Sequence, residues 1–156
     1  MQGIFNDVEG LRIALEMEKR GAELYRYATR ITNDARTNQL LLSLERDELN
    51  HQAEFAALLG EKTALPDDES QAVISSQAAD VVFSGGLISM VMECGLDNPA
   101  AIIRHAIGEE MSSIAFYEKI AAQTQNEQVR SACLAIADQE REHKQTLEEM
   151  LSEEVQ

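Results

Sequence analysis

The chain has no tryptophan, two prolines and two cysteines in 156 residues, and aromatic side chains make up 4% of it. Each scarcity excludes something. With so few prolines, little interrupts a helix. Cys94 and Cys133 form no C-x-x-C, so neither a zinc ribbon nor a rubredoxin-type iron site can be built. Two cysteines suggest no disulfide framework, and reduced thiols in a cytoplasm are the expectation. Basic residues are also scarce: 13 Lys and Arg stand against 28 Asp and Glu, a net charge of −15. Nucleic acid is therefore not an expected partner, because a phosphate backbone calls for a Lys/Arg footprint. The acidic balance suits solubility and attraction of cations. The longest apolar stretch, near "GGLISMVMECGL", falls short of the roughly 20 residues of a membrane span. "MQGIFNDVEG" shows no basic region followed by an apolar one, so no signal peptide is expected.

What is present forms helices. Ala, Leu, Glu, Gln, Arg and Met recur, and β-branched runs are few. The reading is one all-α domain over residues 1–156, with long helices at about 7–31, 34–59, 98–123 and 126–151. Asn6 and Glu9 suit a capping box, Gly60 suits a helix end, and Asn98 with Pro99 suits a helix start. "TQNE" reads as a second capping box before the last helix. Residues 60–97 are too many for a tight turn and read as a crossover with one or two short helices. Two helical hairpins joined by a long crossover make a ferritin-like four-helix bundle.

Each helix carries a seam with steps of three and four. The seams are Leu11, Leu15, Glu18, Ala22, Tyr25; then Leu41, Leu44, Glu48, His51, Phe55, Leu58. In the second half they are Ile103, Ile107, Glu110, Ile114, Tyr117; then Cys133, Ile136, Glu140, His143, Leu147, Met150. Such spacing turns one side of a helix toward its neighbours, so Glu and His interrupt otherwise apolar stripes. A shift of 92 positions carries Glu18 onto Glu110, Tyr25 onto Tyr117, Glu48 onto Glu140 and His51 onto His143. A buried ionised carboxylate costs several kcal/mol unless it is paired. Four glutamates would be balanced by two divalent ions, and Glu with His donors suit iron and manganese and also bind zinc. One Glu from each of two helices and Glu-x-x-His from each of two others is the known pattern of di-iron and di-manganese carboxylate bundles. Glu18, Glu48, His51, Glu110, Glu140 and His143 fill all six places.

The motifs "EKRGAELY", "ERDELNH", "EEMSSIAFY" and "DQEREH" resemble the rubrerythrin-like branch of the ferritin-like di-iron proteins. The resemblance spans the four long helices and not the crossover. It implies that Glu48 and Glu140 bridge two metal ions, with Glu18, Glu110, His51 and His143 as terminal ligands. It implies that Tyr25 and Tyr117 orient the carboxylates across the bundle. Rubrerythrins carry a further Glu three residues after the third-helix ligand, whereas the positions three after Glu109 and Glu110 are here Ser112 and Ser113. The rubredoxin domain is also missing, so electrons would come from a separate donor. Among neighbouring residues, Glu109 is set aside in favour of Glu110 by the offset. Glu45 reads as plain surface, with an outer or entry carboxylate as the alternative. His105 and Tyr27 read as ordinary helix residues, and Cys133 as inert.

The expected function is that of a di-iron oxidoreductase reducing hydrogen peroxide or dioxygen with electrons from an external donor. The metal would be iron, with manganese or zinc as alternatives. The expected setting is cytoplasmic, away from membranes and nucleic acid, as a homodimer by family analogy. A ferroxidase that sequesters iron is the alternative function. A dimanganese catalase and a metal-free helical adaptor stand behind it.

Overall fold

A computed structural model of the chain describes residues 6–60 and 98–154. Helix α1 covers Asp7–Ile31, α2 Ala35–Gly60, α3 Pro99–Gln123 and α4 Glu127–Glu154. Among the described residues there is no strand, and the architecture is an all-α ferritin-like four-helix bundle. The expected crossover lies outside the described residues. No helix among the described residues is long and apolar enough to cross a membrane.

The helix ends follow local chemistry. Asn6 and Glu9 form the reciprocal capping box, with Glu9 N donating to Asn6 Oδ1 at 2.9 Å. Asp34 accepts from the backbone N–H of Thr37 at 2.8 Å and starts α2. Asn98 accepts from Ala101 N at 2.9 Å, with Pro99 as the first residue of α3. The second expected capping box is corrected. Thr124 ends α3, and Asn126 caps α4 by accepting from Val129 N at 3.1 Å. The hydroxyl of Thr124 instead accepts from Asn126 N at 3.0 Å. Nor does α2 stop before Gly60, which is its last residue.

Two apolar clusters build the interior. One joins Leu11 and Met17 to Phe55, Tyr117, Ile120, Val129 and Ile136. The other joins Leu24 and Tyr25 to Leu41, Ile103, Leu147 and Met150. The start of α1 thus meets the ends of α2 and α3 and the start of α4. Each hairpin is antiparallel, and α1 runs against α3. The seam residues that fall between the two clusters are the glutamates and histidines. The seam is not evenly buried: Leu59 is buried while Leu58 is half-buried, and Leu15, Ile107 and Ile114, in the middle parts of their helices, are half-buried as well.

Candidate metal centre

Glu18 from α1, Glu48 and His51 from α2, Glu110 from α3, and Glu140 and His143 from α4 are all buried at the middle of the bundle. A Glu at one position and a His three later share a helix face, so α2 and α4 each aim both side chains at one point. Glu18, Glu48, His51 and Glu140 each offer an atom within 4.8 Å of the others. Glu48, Glu110, Glu140 and His143 do the same. The two groups share Glu48 and Glu140. The imidazole rings of His51 and His143 lie 5.7 Å apart, inclined at 25°.

The atoms facing this centre sit close together without bonding one another. Nδ1 of His51 lies 2.9 Å from Glu140 Oε1, and Nδ1 of His143 lies 3.0 Å from Glu140 Oε2 and 3.1 Å from Glu48 Oε1. Yet Glu18 Oε2, Glu48 Oε1, both Glu140 oxygens and both Nδ1 atoms are buried without hydrogen-bond geometry. Buried polar atoms are nearly always bonded. Donors that converge on a common point and do not satisfy each other fit a shared cation. Four carboxylates and two imidazoles also match the ligand chemistry of divalent iron, manganese and zinc.

Electrostatics record the same crowding. Burial, then the charges of Glu140, Glu18 and Glu110, push Glu48 well above the usual carboxylate range. Burial and the charges of Glu110 and Glu18 do the same to Glu140, against the adjoining histidines. Burial works against charge on His51, but the adjoining Glu140 and Glu18 carboxylates outweigh it and raise it to about 11. Burial likewise opposes charge on His143, and Glu110 and Glu140 raise it to about 10. Glu18 is also penalised by burial, yet its neighbours, His51 first, hold it below the usual range. Without an ion the centre holds protons in its place.

The tyrosines cross the bundle reciprocally. Tyr117 on α3 donates to Glu18 Oε1 on α1 at 2.6 Å, and Tyr25 on α1 donates to Glu110 Oε1 on α3. Both hydroxyls are buried, and burial followed by the nearby carboxylates pushes them well above their ordinary value. They stay protonated and act as fixed donors.

Glu110 enters the cluster and Glu109 does not, as the offset indicates. Glu109 is nevertheless buried, with His105 Nε2 2.5 Å from its Oε1, so His105 is more than an ordinary helix residue. Burial and the Glu110 charge push Glu109 well up. The surface reading of Glu45 is corrected too. It is buried and accepts from Arg26 Nε at 2.8 Å. Cys133 is buried, and burial pushes its thiol up to about 12, well away from a reactive thiolate.

Three residues at the centre escape a reading by seam. A β-carbon on Gly21 would lie 2.6 Å from Glu48 Oε2, so this glycine makes room for that carboxylate. Gln139 and Asp47 stand behind the histidines: His51 Nε2 is 2.5 Å from Gln139 Oε1, and His143 Nε2 is 3.0 Å from Asp47 Oδ2. The repeat carries Asp47 onto Gln139 and Gly21 onto Ser113 but keeps neither identity; the one signal was that Asp47 and Gln139 each directly precede a seam Glu.

Among known families, the one described as Rubrerythrin matches residues 101–156, the stretch that holds Glu110, Tyr117, Glu140 and His143. No curated protein and no solved structure matches the chain. Over residues 101–156, its second helical hairpin, the chain is therefore similar to the rubrerythrins of the ferritin-like di-iron family.

Proposed function

We propose that Glu18, Glu48, His51, Glu110, Glu140 and His143 hold two iron ions, and that the protein reduces hydrogen peroxide, or dioxygen, with electrons from an external donor. The observation that carries this reading is the pair of buried donor groups sharing Glu48 and Glu140, with their inward atoms left unbonded. The rubrerythrin match supports iron over manganese or zinc. Glu48 and Glu140 would bridge, and the other four residues would each serve one ion. Bound as a ferrous pair, the metals would supply two electrons, so that hydrogen peroxide and two protons become two waters.

The chain's own residues set the conditions. Tyr25 and Tyr117 each hold one oxygen of Glu110 and Glu18, which fixes the direction of those carboxylates. Phe55, packed on Tyr117 at 5.1 Å between centroids, helps to keep one side dry. By analogy with other ferritin-like bundles, the protein works as a cytoplasmic homodimer.

The test is anaerobic loading with Fe(II), followed by peroxide or oxygen. Rapid oxidation by peroxide, slower oxidation by oxygen and two irons per chain are expected. A ferrous protein unchanged by peroxide overturns the peroxidase reading. Many irons per chain would mark sequestration, and oxygen release without a reductant would mark a catalase.

A further inference from the structure

The two histidines are held differently. Both turn Nδ1 toward the centre and Nε2 outward between α2 and α4, to the residue just before the other helix's central Glu. For His51 that residue is Gln139, and for His143 it is Asp47. Both partner oxygens face Nε2 as acceptors, so each ring offers Nε2–H outward and leaves Nδ1 for the centre. The repeat relates Asp47 to Gln139, so equivalent positions carry a carboxylate and an amide. The difference is chemical. A charged acceptor makes a hydrogen bond roughly twice as strong as a neutral one. It makes the far nitrogen a stronger donor and adds a negative charge near the ion. An amide oxygen orients the ring but brings no charge.

We propose that Asp47 and Gln139 are positioning residues that make the two metal positions unequal, the His143 position binding more tightly, so that the centre fills in a fixed order. This rests on the two-metal reading above. It adds that a single ion occupies the Glu110–His143 side before the second arrives at Glu18–His51.

Zinc, which is redox-silent, is the probe, titrated into the metal-free full-length chain against a chelating indicator. Wild type should show two steps about tenfold or more apart. His51→Ala spares the His143 position, and His143→Ala spares the other. Asp47→Asn should weaken zinc about 10- to 100-fold in the His51→Ala background and leave the His143→Ala background nearly unchanged. Gln139→Glu should tighten zinc in the His143→Ala background, a gain that a merely structural role would not produce. This arm also decides the matter if Asp47→Asn fails to fold. Wild-type chain that binds no zinc overturns the two-metal reading itself. Two bound zincs with equal affinities, or substitutions acting alike in both backgrounds, overturn the inequality and leave the two-metal reading standing.

Discussion

Gly21 shows how much of the centre is decided by single atoms. A glycine inside a helix costs about 1 kcal/mol relative to alanine. Gly21 lies well within α1, and a methyl there would meet the Glu48 carboxylate at 2.6 Å. The obstructing atom is the end of a flexible side chain, so Gly21→Ala should shift Glu48 and leave the bundle folded. The metal-free variant should keep or raise its melting temperature, while zinc affinity falls about tenfold or more. Unchanged affinity in a calorimetric titration would show that the missing side chain has no part in placing Glu48. The six Glu and His positions were legible because their identities repeat at one offset. The need for Gly21 was not, because it comes from a distance between two helices. The burial of Glu45 and Glu109 was hidden for a related reason, since Arg26 and His105 are what make it tolerable.

The helices themselves were largely written in the sequence. Apolar spacing located all four, and the Asn6 and Asn98 caps act as read. The start of α4 lies where it was expected, but its cap was misjudged: Thr124 and Asn126 are both good caps, and only the geometry of the α3–α4 turn selects Asn126. Four seam positions, Leu15, Leu58, Ile107 and Ile114, are only half-buried, because spacing marks a helix face and not how fully the neighbouring helices cover each residue. Asn98 is the clearest element-scale test, since it satisfies the first turn of α3 through Ala101 N–H. Asn98→Ala should cost about 1 kcal/mol in denaturant unfolding. Zinc affinity should be preserved, because Glu110 lies three turns further along. Loss of metal binding in this variant would show that the cap also sets the register of α3.

Across the whole molecule, two apolar clusters enclose an acidic middle, and this arrangement ties stability to protons. His51 and His143, raised from 6.5 to about 11 and about 10, stabilise the metal-free fold fully below their unfolded value. That contribution disappears as pH rises through their folded values. Glu48 and Glu140, also raised, keep protons that the unfolded chain releases above its ordinary 4.5, so they too make the fold weaker as pH rises. Glu18, held low, acts in the opposite sense and loses its contribution in acid. The metal-free protein should therefore melt at least about 5 °C lower at pH 9 than at pH 6. Saturating zinc should remove most of that slope, because ions then replace the protons. A metal-free melting temperature that is flat or rises over this range would overturn the account. The sharing of Glu48 and Glu140 has one more consequence. Each donor group takes three residues from one hairpin and a single glutamate from the other. Neither hairpin owns a position outright, so there is no redundancy: damage to one shared glutamate disables both halves at once. An ion bound at either position also fastens the two hairpins together like a clasp.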